Sequence, residues 1–200
     1  MRWDNLFDDL ESQLEHGLTA EEIDLQAEEE RLRLARMSLR ERILSLYESG
    51  EASGSSTIRM QLIGGATIVV RPLSFGKDWF SAELVEEAQR HSQCIVPLAA
   101  VAGLLLGREQ VRFSLLASSG PESGRGLSAR LGVAFVLRDL CRRRRAIELH
   151  LAEGVVHGTI DRVGRDHLDL AVHEPGSPRR ENEVSHYRVI PLGQVLLVRM

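Results

Sequence analysis

The chain carries the same pattern of residues twice. Residues 58–70 read IRMQLIGGATIVV, and residues 147–160 read IELHLAEGVVHGTI. Further along, FGKDWFSAEL at 75–84 matches VGRDHLDLAV at 163–172, and CIVPLAAVAGLLL at 94–106 matches RVIPLGQVLLV at 188–198. The offset between matching residues of the two copies changes by only a few positions. Insertions in surface loops, whose entropic cost is small, would cause such a change. The sequence therefore predicts two copies of one small module.

Each copy has the alternation that is typical of β-strands. In the second copy, Ile147, Leu149 and Leu151 alternate with polar residues, which indicates a strand with one buried face. Further short strands are predicted at 156–161, 168–172, 187–191 and 194–198. Five short antiparallel strands can curl into a small barrel. A helix with a broad apolar face is predicted before them, from Ser128 to about Arg143, with Ser128 as its N-cap.

A helix followed by five strands, with VHGTIDRVGRDHLDLAV and RVIPLGQVLLV as its motifs, resembles the Sm-like (LSm/Hfq-type) small β-barrel superfamily. The resemblance covers residues 128–200 moderately well and 57–107 more weakly, as a divergent tandem bacterial member with an extra N-terminal helical segment. It implies an α+β fold with N-terminal helices and two tandem five-stranded antiparallel β-barrels. The expected domains are an acidic amphipathic helical segment (1–49), a first Sm-like module (57–107), and a helix plus second module (127–200).

The resemblance also suggests base-binding positions. In RNA-binding members a side chain of the first motif stacks on a base, an Asn bonds the base edge, and a basic residue of the second motif closes the pocket. His167 matches the stacking position and Asp169 the Asn position, while Trp79 takes the stacking position of the first copy. Ile190 stands where the pocket-closing basic residue would be, and an Asp offers acceptors only, so the match departs from the family's RNA-reading pattern.

Basic residues concentrate at the end of the predicted helix. Three interpretations stand side by side. The arginines form a solvated helix C-terminus whose charges suit the helix dipole, or they form a site for phosphate or an acidic partner, helped by Arg179 and Arg180. In the third, the acidic N-terminal segment covers this patch and regulates access to it. The residues expected to contact nucleic acid here are Arg138, Arg142, Arg143, Arg144 and Arg145.

The acidic N-terminal segment predicts two amphipathic helices. One has an apolar seam at Trp3, Phe7, Leu10 and Leu14, and the next repeats leucine every seven residues. The seams either pack on the rest of the chain or dock a partner protein, as a coiled coil or a docking helix. The heptad leucines are Leu25, Leu32, Leu39 and Leu46.

Several classes of protein are disfavoured by composition. Aromatic residues make up 4% of the chain, which argues against a stacking platform for single-stranded nucleic acid, and the net charge of −4 does not suggest a protein that coats DNA. Cys94 and Cys141 lie far apart without a CxxC motif, so no metal site, cofactor or disulfide is expected. The longest apolar stretch, 95–106, is too short to cross a bilayer, and the acidic start lacks a signal-peptide pattern. A cytoplasmic protein without a membrane partner is expected.

The sequence thus predicts a non-catalytic protein rather than an enzyme. The first hypothesis is an Sm-like regulator that associates with RNA or DNA through the basic helix end and the barrel surface. The alternative is a protein-interaction adaptor whose N-terminal helices dock a partner and which binds no nucleic acid. Self-association as a homo-oligomer is left open.

Overall fold

The computed structural model describes residues 22–53, 57–85, 92–116, 127–176 and 179–200. The chain divides into two compact units, Met1–Ser38 and Leu39–Met200. In the first unit, helix α1 covers residues 22–36. Leu25 and Leu32 of α1 are 61% and 49% exposed.

The second unit begins with helix α2 (Leu39–Ser53), and the short helix α3 (Arg108–Ser114) packs against it. Ser38 and Glu41 have the spacing of a capping box at the start of α2. Ile43, Leu44 and Leu46 of α2 lie in the first hydrophobic core. The predicted heptad is therefore wrong as a single seam: the helix breaks between α1 and α2, and Leu46 is a core residue at 5% exposure.

Five strands make up each copy of the module. The first copy consists of β1 (Ile58–Leu62), β2 (Thr67–Phe75), β3 (Trp79–Leu84), β4 (Ser92–Pro97) and β5 (Val101–Leu104). Helix α4 (Val133–Arg142) precedes the second copy, which consists of β6 (Ala146–Leu151), β7 (Gly154–Val163), β8 (His167–Val172), β9 (His186–Pro191) and β10 (Val195–Arg199).

All ten strands join one antiparallel open sheet, in the order β5-β1-β2-β3-β4-β10-β6-β7-β8-β9. The α+β class is as predicted, but two closed five-stranded barrels are wrong. In neither copy does the fourth strand pair with the fifth strand of its own copy: β4 pairs with β10, and β9 has no second partner among the described strands. Alternation along a strand fixes which face is buried, but it does not decide which edges pair.

Strand β10 serves both halves of the protein. Leu196 and Leu197 belong to the core that α2 covers, whereas Val195 and Val198 belong to the core that α4 covers. The second core also takes in Ile95 of β4. The two cores are separate clusters, and the paired strands β4 and β10 each contribute residues to both of them.

The two copies repeat their turns and helix contacts as well as their strands. Gly76 and Gly164 each donate a backbone N–H to the carbonyl three residues later, at 2.8 Å in both cases. The carbonyl of each glycine accepts a hydrogen bond from an arginine of the preceding helix, Arg40 at 2.7 Å and Arg138 at 2.9 Å. The helix, the turn and the strand that follows it thus recur as one unit.

Candidate interaction surfaces

The arginines at the end of α4 surround the point where the helix stops. Arg144 has a φ of 52°, the left-handed conformation that commonly terminates a helix, and its N–H donates to the Cys141 carbonyl at 3.0 Å. The following residue, Arg145, donates its N–H to the Leu140 carbonyl. The helix begins at Val133 rather than at Ser128, which lies in a separate short 3-10 turn.

Two carboxylates form ion pairs with most of these arginines. Asp139 pairs with Arg142 at 2.6 Å and with Arg143 at 2.7 Å, and these guanidinium groups lower the pKa of Asp139, chiefly through the hydrogen bond from Arg142. Asp161, on β7, accepts hydrogen bonds from Arg144 at 3.0 Å and from Arg179 at 2.7 Å. The structure brings the predicted basic residues together but engages most of them within the protein.

The predicted base-stacking residue of the second copy lies on the surface. His167 opens β8, and its Nδ1 lies 2.8 Å from Asp166, a contact that lowers the pKa of that carboxyl. Asp169 is half-buried on the same strand, with its carboxylate 3.9 Å from Arg162. His173 instead points inward, where it is 4% exposed and bonded to Thr159 at 2.9 Å.

The equivalent residue of the first copy is not on the surface. Trp79 is 7% exposed and belongs to the second hydrophobic core. Its indole N–H donates to the Leu131 carbonyl at 2.9 Å. Trp79 therefore joins the first copy to the start of α4, and its ring has no open face on which a base could stack.

Strand β9 is an exposed apolar edge that the sequence argument did not single out. Tyr187 and Val189 are 58% and 65% exposed. Val189 corresponds to Ile95 in the first copy, which is 2% exposed because β10 covers it. A cavity of about 240 Å³ borders β9, lined in part by Glu153, Arg188 and Val189. Aligning the two copies could have drawn attention to Val189, because it repeats the position of Ile95.

The opposite edge of the sheet is also open. Strand β5 pairs only with β1 among the described strands, and Leu105 just after it is 45% exposed. In β10, the equivalent of β5, residues 195–198 are all buried. The sheet of the described residues therefore has two different open edges, β9 and β5. Their counterparts in the other copy, β4 and β10, pair with each other inside the sheet.

The N-terminal docking residues predicted from the sequence lie outside the described residues; they are Trp3, Phe7, Leu10 and Leu14. Among the helices that the structure describes, none has the length and apolarity needed to cross a membrane. Within the same residues, no three His, Cys, Asp or Glu side chains are grouped as a metal site.

Comparison of the chain with protein-family models, with curated proteins and with solved structures gives no significant match.

Proposed function

We propose that this protein is a non-catalytic interaction scaffold that binds another protein chain through the exposed edge of its sheet. The observation that carries the proposal is strand β9, which presents Tyr187 and Val189 to solvent and, among the described strands, pairs only with β8. Natural sheet edges are usually protected by charged side chains, by proline, by bulges or by a covering element. Strand β9 ends at Pro191 and carries one cation, Arg188, which pairs with Glu153 at 2.8 Å, and no other described strand covers its outer edge. The exposed Tyr187 and Val189 make the rest of this edge suited to receiving an added strand.

The scaffold proposal is tested by comparing the proteins that different forms of the immobilised full chain capture from an extract of cells that produce it. Val189→Lys places a charge on the β9 edge, and Leu73→Lys places the same charge at another exposed apolar position, 41% exposed on β2. A protein that binds through β9 is captured by wild type and by L73K and is lost with V189K. Identical capture by all three forms would overturn the proposal.

The basic end of α4 favours a second candidate, binding of RNA or DNA through phosphate contacts. Six arginines belong to this region, and four of them pair with Asp139 or Asp161. The side chains of Arg142 and Arg143 remain 78% and 62% exposed despite their ion pairs. His167 lies on the surface of the same copy. Trp79 no longer belongs to this candidate, because its ring is buried. The six arginines are Arg138, Arg142, Arg143, Arg144, Arg145 and Arg179.

This second candidate predicts binding that weakens steeply with salt, because cationic side chains release counterions from phosphates. Replacing both Arg142 and Arg145 by Gln lowers the slope of log affinity against log salt by up to about 2 units on duplex DNA. The matched control replaces Arg108 and Arg112 of α3, where Arg112 is 76% exposed. Unchanged affinity and slope in the α4 variant would exclude phosphate binding at this surface.

The resemblance to Sm-like modules is kept as a proposal of common origin. It is supported by the order of elements in residues 127–200, where one helix precedes five consecutive antiparallel strands. It does not by itself assign a ligand, because function depends on the side chains of a site rather than on the fold.

A further inference from the structure

The turn between β2 and β3 of the first copy, residues 76–79, holds the N-terminus of helix α4. The N–H of Lys77 and the indole N–H of Trp79 both donate to the Leu131 carbonyl, each at 2.9 Å. The Asp78 carboxylate accepts a hydrogen bond from the Val133 N–H at 2.7 Å. Three consecutive residues of one turn therefore bind a carbonyl that precedes the helix and the first N–H within it.

The helix that this turn receives begins with a residue that cannot cap it. The N-cap is Gly132, which has no side chain to accept hydrogen bonds from the free N–H groups of the first helical turn. A Cβ at this position would lie 3.4 Å from an oxygen of the Asp78 carboxylate. A glycine therefore leaves room for a carboxylate from elsewhere to act as the capping group.

The turn between β7 and β8 of the second copy, residues 164–167, places an aspartate in the same way. The Asp166 carbonyl accepts a hydrogen bond from the Leu192 N–H at 2.7 Å, and the Asp78 carbonyl accepts one from the Leu98 N–H at 2.9 Å. Both N–H groups belong to the 3-10 turn that follows the fourth strand of the copy. The backbones of the two turns are therefore held alike, and Asp166 takes the position of Asp78.

The ring beside each aspartate also has the same position. A Cβ on Gly76 would lie 2.0 Å from Nε1 of Trp79, and a Cβ on Gly164 would lie 2.9 Å from both ring nitrogens of His167. Each ring thus lies over the glycine that opens its turn. The imidazole of His167 takes the place of the indole of Trp79 and offers a ring N–H of its own.

The groups of the second turn face solvent. The side chains of Asp166 and His167 are 85% and 47% exposed and contact each other at 2.8 Å. Within the described residues, the Arg165 N–H, which corresponds to the N–H of Lys77, bonds no acceptor. The second turn therefore has the two donors and the acceptor that hold α4 in the first copy, and no helix N-terminus in the described part of the chain is bound to it.

We propose that residues 164–167 form a docking site for the N-terminus of a helix that belongs to a partner protein. This inference rests on the proposed scaffold function and names the element that the partner contributes. The Asp166 carboxylate accepts the first free N–H of the partner helix, and the N–H groups of Arg165 and the His167 ring donate to the carbonyl that precedes it. The partner helix has a glycine at its N-cap, because the capping group comes from Asp166.

The helices that precede the two copies do not supply this N-terminus from a second copy of the chain. In each chain the start of α4 is already held by Asp78. In α2, Arg40 repeats the contact of Arg138, and this match puts Ala35 at the position of Val133. Ala35 lies inside α1, where N–H groups bond within the helix. The occupant is therefore a helix of a different protein.

The test titrates the isotopically labelled full chain with an acetylated peptide of residues 127–143, the segment that occupies the first turn. NMR follows the backbone signals of the chain. We expect saturable shifts of the Arg165 and His167 signals and loss of these shifts with Asp166→Ala. Glu181→Ala removes another exposed carboxylate of the second copy and is expected to leave the shifts unchanged.

A peptide with Val133→Pro is the matched control. Proline fits the first position of a helix but has no N–H, so the helix can form while the hydrogen bond to Asp166 cannot. We expect this peptide to bind the chain about tenfold more weakly, or worse, as expected from the loss of a hydrogen bond to a charged group. Equal binding of the two peptides would overturn the proposal.

Two further outcomes would also overturn it. One is the absence of shifts at residues 165–167 up to the solubility of the peptide, including the case in which only residues 77–79 shift because the peptide replaces α4 at its own turn. The other is an oligouridylate that shifts the signals of residues 165–167 when the peptide does not, which would assign the turn to nucleic acid.

Failure of this inference can be distinguished from failure of the scaffold function. A partner protein that binds through β9 is lost with V189K, whatever happens at the turn. If that partner also docks a helix on the turn, D166A weakens its capture. Equal capture by wild type and D166A would reject the docking site and leave the scaffold function standing.

Discussion

The Asp78 carboxylate accepts a hydrogen bond from the backbone N–H of Val133 at 2.7 Å, across 55 residues of sequence. Asp78 lies in the turn between β2 and β3 of the first copy, and Val133 is the first residue of α4. Two more hydrogen bonds tie the same region together, from the Lys77 N–H and the Trp79 indole to the Leu131 carbonyl. The N-cap residue of α4, Gly132, has no side chain to cap the helix, and the first copy supplies a capping carboxylate in its place.

Replacing Asp78 by Ala is expected to lower the free energy of unfolding by about 1 kcal/mol, the usual value of an N-cap side chain. Asp78→Asn should retain part of the stability, because the amide oxygen of Asn can still accept the hydrogen bond. It should lose the favourable interaction between the negative charge and the helix dipole. Chemical denaturation monitored by circular dichroism measures both variants. Asp166, the equivalent residue in the second copy, has an exposed side chain and provides the control. Equal losses from Asp78→Ala and Asp166→Ala would contradict the capping role.

The equivalent glycines Gly76 and Gly164 should tolerate alanine very differently. A Cβ on Gly76 would lie 2.0 Å from Nε1 of the buried Trp79, whereas a Cβ on Gly164 would lie 2.6 Å from Cε1 of the exposed His167. The imidazole can swing into solvent, but the indole would have to leave the core. We expect Gly76→Ala to cost about 1–3 kcal/mol by overpacking and Gly164→Ala to cost less.

Chemical denaturation monitored by circular dichroism compares the loss of stability in Gly76→Ala with that in Gly164→Ala. Trp79 fluorescence should also change on Gly76→Ala and stay unchanged on Gly164→Ala, with Trp3 contributing equally to both. A larger loss of stability from Gly164→Ala would show that the Trp79 ring can move more easily than its burial implies.

Burial raises the pKa of the Cys94 thiol to about 12. The unfolded chain ionises this thiol in its ordinary range, so above that range the unfolded state releases a proton that the folded state retains. The contribution to stability is complete below the ordinary thiol pKa and is lost as the pH rises towards 12. The free energy of unfolding should therefore fall with a limiting slope of about 1.4 kcal/mol per pH unit from this group.

Denaturation of wild type and Cys94→Ala over the alkaline range isolates this contribution, because the other titrating groups are common to both proteins. The variant should be less stable near neutral pH, and the difference should shrink as the pH rises. Cys94 should also resist alkylation in the folded protein, since the thiolate is the reactive form. Rapid alkylation of Cys94 under native conditions would contradict the buried assignment.

Asp161 holds two arginines that come from different segments, Arg144 after α4 and Arg179 before β9. Asp161→Asn should weaken both contacts, and we expect a loss of about 1.5–3 kcal/mol, the usual range for hydrogen bonds to a charged group. If the α4 surface binds phosphate, the same substitution should strengthen binding, because it frees two cations. Denaturation and an oligonucleotide titration at fixed salt measure the two effects, and unchanged stability would show that the two contacts contribute little to the fold.

The duplication and the positions of the strands could be predicted from the sequence. The predicted strand at 168–172 lies within β8 (His167–Val172), and the predicted strand at 187–191 lies within β9 (His186–Pro191). Alternation of apolar and polar residues is a local property, so it is readable without tertiary contacts. The helix start at Val133 was not readable, because its capping residue, Asp78, comes from the other copy.

For the candidate surfaces, too, some features could be predicted from the sequence and others could not. The sequence alone determined that arginines cluster at the end of α4 and that Val189 repeats the position of Ile95. Only the tertiary structure decided that Trp79 is buried, that Asp139 and Asp161 engage the arginines, and that the sheet stays open with β9 exposed. Strand pairing and ion pairing join residues that are distant along the chain, and a local pattern carries no information about such partners.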